Sequence, residues 1–280
     1  MSYDSAVLER VAQQFRRDMW LSAAPAAVAE SGVEVERFGP VQATAFGDLP
    51  EVVTLNQIQG AAEPGAIEDG HLGAAIEWMR AREVHSRVPV AESRPGASAA
   101  DDWLGERGYE QVDGWVKLVR DLGPAYPSAD PEIIVYELGA QEIDGEALSA
   151  IVAEGMNLPA YAGTLFFSLP QKANWRCYTA ALAPDQPVVA TGSMMIADGV
   201  AQFGPGSTLP HARGHGCNTA LLRRRLIDAA AAGCHTAVVE LWDCRADQLP
   251  AGGRNLVRAG FEVAYAGHSW QRPVLHPAVR

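Results

Sequence analysis

The chain has 280 residues, 48% of them hydrophobic and 20% charged, which is the composition of a globular protein long enough for two domains. A formal net charge of −12, with no basic run longer than Arg223–Arg225, argues against nucleic-acid binding. We expect a cytoplasmic protein without a membrane partner, because no apolar run approaches the roughly 18 residues of a membrane span. We expect no bound metal, because the four cysteines form no CxxC pair and have no regular spacing with histidine.

The first half of the chain is predicted to alternate helices and short strands. Four apolar residues at helical spacing predict a helix over 71–83: Leu72, Ala75, Ile76 and Met79. Pro89 limits the strand predicted at 87–90 to a sheet edge, because proline cannot donate to a ladder. The other predicted elements are helices at 7–24 and 97–107, strands at 33–38 and 52–55, and a strand that ends at Val119.

The second half is predicted to form an antiparallel meander that leads into a strand-helix-strand unit. Asp198-Gly199 predicts a tight hairpin turn between the strands at 187–196 and 200–208. The other predicted strands are 133–138, 175–182, 236–242 and one from Phe261, and the predicted helices are 141–154, 217–232 and 252–259.

Between the halves, residues 121–131 hold three prolines and small polar residues, which predict a linker. We therefore expect an N-terminal domain at 1–122, a linker at 123–131 and a C-terminal domain at 132–280. Residues 103–109 and 255–261 have the same order of helix end, glycine, aromatic residue and strand, which suggests an internal duplication.

The sharpest motif is Pro-His-Ala-Arg-Gly-His-Gly-Cys-Asn at 210–218, between a strand and a helix. Gly214 and Gly216 allow a ligand to approach the backbone closely, and the free amides at the start of the helix attract an anion. Such a turn suits a pyrophosphate, to which Arg213 would add a charged contact. The three arginines at 223–225 are expected on a solvated helix face.

Two other phosphate-binding motifs fit this loop less well. A P-loop needs a lysine after its second glycine, and none is present. In a Rossmann fingerprint Glu240 would be the acidic residue at the end of the next strand. However, Thr219 stands where the fingerprint has its third glycine or small residue, and the strand at 200–208 is polar where the first strand of such a sheet is apolar. A Rossmann-type NAD(P)-dependent oxidoreductase is therefore our third alternative.

The pattern Pro-x-x-Arg-Gly-x-Gly at 210–216 resembles the acyl-CoA pyrophosphate loop of the GNAT superfamily, the GCN5-related N-acetyltransferases. Asn255-x-x-x-x-Gly260-Phe261 is similar to the closing element of that superfamily, and segments at 55–60 and 175–178 resemble its two-domain bacterial members. The resemblance implies an α/β (α+β) fold with tandem GNAT-like domains. Each would have a mixed, mostly antiparallel sheet flanked by helices, and the N-terminal domain would be a degenerate copy.

The resemblance also implies the reaction and its site. Acetyl-CoA would donate an acetyl group directly to a primary amine of a small molecule, in a monomer or a homodimer. The amide near Thr208 or Leu209 would polarise the thioester carbonyl. The residues implied in binding acetyl-CoA are Thr208, Leu209, Arg213, Gly214, His215, Gly216, Cys217, Asn218 and Asn255.

The sequence departs from the family pattern at two positions. His211 stands where the loop usually has Gln or Arg, and Leu256 stands where many members have the tyrosine that protonates the leaving thiolate, so the general acid is unassigned. Glu240 and His211 are the candidate catalytic bases. The plainer interpretation is an ion pair at the end of a strand for Glu240 and an exposed loop position for His211. The missing tyrosine suggests a second hypothesis, a catalytically silent acyl-CoA-binding or sensing module.

The N-terminal half differs from the C-terminal half in its loop at 61–70. This loop has no arginine, and it carries Glu63, Glu68 and Asp69 where a phosphate would sit. We therefore expect no pyrophosphate site there. The aromatic residues of this half are expected to pack in the protein interior rather than to bind a ligand.

Overall fold

The structure is a computed structural model that describes residues 3–21, 23–52, 54–123, 133–139, 145–166 and 168–273. Its helices are α1 Ser5–Leu21, α2 Pro25–Ser31, α3 His71–Arg80, α4 Ala97–Gly105, α5 Gly145–Met156, α6 Ala160–Gly163, α7 Cys217–Ala231 and α8 Ala251–Arg258. Its strands are β1 Val33–Phe38, β2 Val41–Phe46, β3 Gln57–Gln59, β4 Arg87–Ala91, β5 Glu110–Asp121, β6 Ile134–Leu138, β7 Trp175–Ala181, β8 Val188–Ala197, β9 Val200–Thr208, β10 Thr236–Trp242 and β11 Glu262–Gln271. None of the helices described is both long and apolar enough to cross a membrane.

The chain divides into two compact units. Unit 1 comprises Met1–Ser31, Leu118–Val239 and Pro250–Glu262, and unit 2 comprises Gly32–Lys117, Glu240–Leu249 and Val263–Arg280. These units do not follow the predicted domains at 1–122 and 132–280, because α1 and α2 group with the second half of the chain. The predicted linker lies, apart from Gly123, outside the described residues, so the division along the sequence stays a prediction.

Unit 1 is built on a mostly antiparallel sheet. Its strands lie in the order β10-β9-β8-β7-β6, and every neighbouring pair is antiparallel except β9 with β10. Asp198 and Gly199 both have left-handed backbones, with φ of 51° and 71°, which confirms the predicted hairpin turn. A doubly wound parallel sheet is excluded by this pairing, so the Rossmann alternative is wrong.

Helices cover both faces of the unit 1 sheet. Phe15 of α1 packs on Trp175 with ring centroids 5.0 Å apart, and Tyr178 of the same strand donates to Asp228 of α7 at 2.8 Å. Side chains alternate along a strand, and positions 175 and 178 differ by an odd number, so α1 and α7 lie on opposite faces.

Unit 2 has its own sheet and its own apolar core. The strand order is β1-β2-β3-β4, with β11 beside β4 and β5 beside β11. Helices α3 and α4 pack on one face, over Val41, Ala43, Ile58, Val88 and Val90. The four residues predicted on the apolar face of the helix at 71–83 are all buried in this core.

Two predicted strands of unit 2 are corrected by the structure. Residues 54 and 55 form a turn and residue 52 belongs to no strand, because the Asn56 side chain accepts the Phe46 N–H and donates to the Leu49 carbonyl oxygen. Val53 lies outside the described residues. Strand β4 is not an edge strand, because the Arg87 N–H donates to the Asn56 carbonyl on the side of β3. The pairing of β3 with β4 comprises Arg87 alone. Pro89 therefore interrupts no hydrogen bond between β3 and β4.

Candidate functional site

Strand β9 separates from β10 after a short parallel pairing. The paired residues are Val200–Gln202 with Thr236–Val238, and β9 continues from Phe203 to Thr208 beside β8. The Leu209 N–H donates to the Val189 carbonyl at 2.9 Å, so the Thr208 N–H, one residue earlier, points away from β8. The end of β9 therefore turns backbone groups toward an open strand edge.

The predicted glycine loop follows directly on this strand. Pro210–Ala212 form a single turn of 3-10 helix, and Gly214 and Gly216 have left-handed backbones with φ of 82° and 89°. Gly216 is the N-cap of α7 and has no side chain that could cap the first amides of the helix. This is the backbone geometry expected of an anion site.

The predicted ligand-binding side chains of the loop have different environments. Arg213 is exposed, and its Nε donates to the Thr208 carbonyl at 3.2 Å, which holds the guanidinium at the end of β9. His215 is exposed and its Nδ1 lies 3.0 Å from the Arg213 carbonyl. Asn218 is exposed, whereas Cys217 is buried, so only the backbone of Cys217 can face a ligand.

The two remaining predicted residues of unit 1 lie on α8 and in the loop. Asn255 is half-buried and its Oδ1 accepts from Arg258 Nη1 at 2.9 Å. His211 is exposed in the 3-10 turn. Leu256, at the position of the family's tyrosine, is buried, so no proton donor stands there.

Glu240 lies in unit 2, in a buried ion pair. Its Oε1 is 2.6 Å from Lys117 Nζ, and the two side chains are 9% and 0% exposed. Lys117 Nζ also lies 5.5 Å from the centroid of the Trp115 ring. The ion-pair alternative for Glu240 is therefore found, and its role as a base stays a prediction.

Arg225 is not on a solvated face, contrary to the expectation for residues 223–225. It is 6% exposed, donates to the carbonyls of Ser193 and Leu221, and lies over the Phe203 ring at 4.8 Å. Burial lowers the pKa of its guanidinium to about 10. Its place on the apolar stripe of α7, four residues after Leu221, is the sequence signal that could have revealed this.

Burial also decides the chemistry of the cysteines. Desolvation raises the pKa of the thiols of Cys217 and Cys244, and that of Cys177 to about 12. Thiols with raised pKa values are poor nucleophiles, which supports a packing role. Within the described ranges, no group of His, Cys, Asp or Glu is placed to hold a metal ion.

The Cys177 thiol gives a testable pH dependence. Its pKa rises on folding from about 9 to about 12, so its contribution to stability is complete below pH 9 and is lost as the pH rises toward 12. Between about pH 8 and about pH 10 we expect the wild type to lose about 1 kcal/mol more unfolding free energy than Cys177→Ala. Urea denaturation at both pH values measures this, and equal losses in the two proteins would contradict it.

The loop of unit 2 before α3 has similar backbone geometry and different chemistry. Gly65 and Gly70 have φ of 79° and 76°, and Gly70 is the N-cap of α3 without a side-chain cap. Glu63 lies in this loop and pairs with Arg94 at 2.7 Å, with both side chains mostly buried. The glycine turn is thus present in both units, and the acidic side chains distinguish the loop of unit 2.

The helix ends that suggested a duplication also match. The Tyr109 N–H donates to Leu104 and the Phe261 N–H donates to Leu256, each at 3.1 Å. The preceding glycines, Gly108 and Gly260, have φ of 75° and 84°. Both helices therefore end in the same hydrogen-bonded turn, each within its own unit.

A mostly antiparallel sheet flanked by helices, with a parallel strand pair that opens before a glycine loop and a helix, defines the fold of the GCN5-related N-acetyltransferases. The predicted fold class is thereby confirmed, and the chain has the GNAT fold. It is similar to a GCN5-related N-acetyltransferase from Sphaerobacter thermophilus, with a TM-score of 0.63 and 15% sequence identity. The match covers 95% of this chain and 96% of that protein. A GCN5-related N-acetyltransferase from Kribbella flavida gives 0.61 and 21% identity, with 94% and 97% of the two chains covered.

A two-domain protein of this fold is also similar. It is a tandem GNAT protein from the clavulanic acid biosynthesis pathway, with a TM-score of 0.59, 15% identity, and 91% of this chain and 86% of that chain covered. This likeness supports the two-domain layout predicted from the sequence. Neither the protein-family models nor the curated protein sequences gave a match to the chain.

Proposed function

We propose that the chain transfers an acetyl group from acetyl-CoA directly to a primary amine of a small molecule. The observation that carries the proposal is the glycine loop at the start of α7, placed at the end of the β9 segment that has left β10. The fold is shared with proteins described as N-acetyltransferases, which supports the same class of chemistry.

Each part of the site has a role in the proposed reaction. The amides from Gly214 to Cys217 would hold the pyrophosphate of acetyl-CoA, and Arg213 would add a charged contact. The Thr208 N–H, which points away from β8, would donate to the pantetheine or to the thioester oxygen as negative charge develops there.

Proton transfer in the proposed reaction would use residues other than the tyrosine of the family pattern. Leu256 has no ionisable group, and Glu240 has an oxygen 2.6 Å from Lys117 Nζ. His211 is exposed beside the loop and is the remaining predicted base. We propose that positioning of the amine and the good leaving ability of the CoA thiolate supply most of the rate.

The first test is the thermal unfolding midpoint with and without acetyl-CoA, beside NADH. At about 100 times the dissociation constant, acetyl-CoA should raise the midpoint by about 5 °C, because a ligand that binds only the folded state stabilises it. NADH is expected to give no rise. An unchanged midpoint with acetyl-CoA would refute the proposal.

The second test separates the enzyme from a silent acyl-CoA-binding module, which the buried Leu256 favours. Thiol release from acetyl-CoA is followed with a panel of polyamines, amino acids, amino sugars and peptide amines. Steady turnover with any amine supports the transferase. Tight binding of acetyl-CoA without thiol release would favour the silent module.

A further inference from the structure

Strand β9 contains a bulge where it pairs with β8. Two residue pairs border the bulge: Gly192 with Gly206, and Met194 with Phe203. Between these pairs β8 has one residue, Ser193, and β9 has two, Gly204 and Pro205. One extra residue in one strand of an antiparallel pair is a β-bulge, which changes the direction of the strand beyond it. We call residues 204–205 the β9 bulge.

The β9 bulge decides where the Thr208 N–H points. Phe203 pairs with Met194 and Thr208 pairs with Ala190, so five positions of β9 oppose four positions of β8. In a regular strand, N–H groups five residues apart point to opposite sides, but the extra residue gives Thr208 the same orientation as Phe203. Without the bulge the Thr208 N–H would point at β8 and not toward the open edge of the strand.

Arg225 of α7 donates a hydrogen bond at the β9 bulge. The Ile196 N–H donates to the Asn174 carbonyl at 2.8 Å on the β7 side, so the Ser193 carbonyl, three residues earlier, faces β9. Pro205 lies opposite Ser193 and has no N–H to donate. Arg225 Nη1 donates to the Ser193 carbonyl at 3.1 Å. The guanidinium therefore supplies a hydrogen bond where β9 has a proline.

The guanidinium fits closely between α7 and the residues that border the bulge. A Cβ added at Gly192 would lie 3.1 Å from Arg225 Cζ, so the glycine leaves room for the guanidinium. The centroid of the Phe203 ring lies 4.8 Å from the same carbon. On the helix side, Arg225 Nε donates to the Leu221 carbonyl at 3.2 Å, one turn earlier in α7. One side chain thus joins the helix to the bulge.

Arginine is a costly residue for this buried position. Arg225 is 6% exposed, and the two carbonyls that it donates to are neutral groups. Taking a charged group out of water is unfavourable, and apolar residues that replace buried charges often leave stability unchanged or raise it. Packing alone would not favour an arginine here, whereas a need for hydrogen bonds at the bulge would.

We propose that Arg225 is a positioning residue for acyl transfer, which holds the β9 bulge against α7 and so directs the Thr208 N–H toward acetyl-CoA. The inference rests on the proposed function, because acetyl-CoA is the ligand that this N–H would meet. Helix α7 begins directly after the glycine loop, and β9 ends at Thr208. The guanidinium therefore joins the two elements that carry the backbone donors of the proposed site.

The first part of the test needs no ligand. Arg225→Met should speed amide hydrogen exchange of the Leu209 N–H, which donates to β8, by about tenfold, because β9 loses a hydrogen bond that fixes its bulge. Exchange of the β7 amides is the internal reference, and equal rates there would exclude a global loss of stability. The matched control is Arg224→Met, since Arg224 pairs with Asp228 and Glu137 on the same helix. It should leave the exchange of Leu209 unchanged.

The second part compares acetyl-CoA with ADP by isothermal titration. Arg225→Met should weaken acetyl-CoA binding by about tenfold, as expected for roughly one lost hydrogen bond, and leave ADP binding unchanged. ADP would occupy only the glycine loop, whereas acetyl-CoA would also reach Thr208. A general loss of structure would weaken both ligands alike. Arg224→Met should bind both ligands as the wild type does.

Three outcomes would overturn the role of Arg225. They are unchanged exchange of Leu209 in Arg225→Met, equal weakening of acetyl-CoA and ADP, and equal acetyl-CoA affinities of Arg225→Met and the wild type. A wild type that binds no acetyl-CoA would instead refute the proposed function. The exchange of Leu209 would then decide by itself whether Arg225 holds the end of β9.

Discussion

Gly214→Glu is expected to weaken acetyl-CoA binding by at least about tenfold, while Gly233→Glu leaves it unchanged. The two glycines are matched: φ is 82° at Gly214 and 81° at Gly233, and an added Cβ meets nothing within 4 Å at either. Gly214 lies in the loop before α7, and Gly233 follows the end of the same helix. Both variants carry the same added charge and a similar backbone cost of about 1 kcal/mol.

The difference between the two variants isolates the anion site. A carboxylate at 214 would repel a pyrophosphate at the start of α7, where the helix dipole and free amides favour negative charge. Tenfold weaker binding corresponds to about 1.4 kcal/mol, which isothermal titration resolves easily. Gly214→Ala adds the strain without the charge and should bind nearly as the wild type does. Equal affinities of Gly214→Glu and Gly233→Glu would remove the loop from the acetyl-CoA site.

Lys117→Met is expected to destabilise the protein by about 3 to 5 kcal/mol, because it leaves the carboxylate of Glu240 buried without its cation. The double variant Lys117→Met with Glu240→Leu should recover most of this loss, since two apolar side chains can replace a buried ion pair. Urea denaturation of the wild type, both single variants and the double variant gives the coupling energy.

An exposed ion pair of the same unit is the control for this cycle. Arg80 and Glu77 lie 2.8 Å apart on α3, with side chains 55% and 68% exposed. Arg80→Met should cost less than about 1 kcal/mol, because solvent screens the pair. Similar losses for Lys117→Met and Arg80→Met would show that the Lys117–Glu240 pair is not buried in solution.

The same double variant tests the catalytic prediction for Glu240. If Glu240 only forms an ion pair, the folded double variant should still release thiol from acetyl-CoA with any amine that the wild type acetylates. Loss of turnover with unchanged acetyl-CoA binding would instead make Glu240 the base.

Much of the fold could be predicted from local sequence patterns. The hairpin at Asp198-Gly199, the strand at Thr236–Trp242 and the buried face of α3 were all predicted, because turn chemistry and side-chain periodicity act between near neighbours. The glycine loop at 210–216 was recognised for the same reason. Its backbone geometry depends on glycines whose positions are visible in the sequence.

Other elements were missed because their local signal is weak or misleading. Strand β2 is buried along its whole length, and its alternation of apolar and polar residues covers only five positions, from Val41 to Ala45. Helix α2 is short and lies between Pro25 and Gly32. The residues at 52–55 suggested a strand, but residues 54 and 55 lie in a turn beside Asn56, whose side chain bonds to the backbone of Phe46 and Leu49. Here a single amide outweighed the strand propensity of its neighbours.

The sequence by itself determined which segments become helices, hairpins and the glycine loop, because these depend on residues a few positions apart. Only the tertiary structure decided that Arg225 is buried and that Glu240 meets Lys117 across 123 positions of the chain. Strand pairing brings these distant residues together, and burial then fixes their charge and hydrogen bonding. No local pattern encodes which strands become neighbours, because that choice depends on packing of the whole chain.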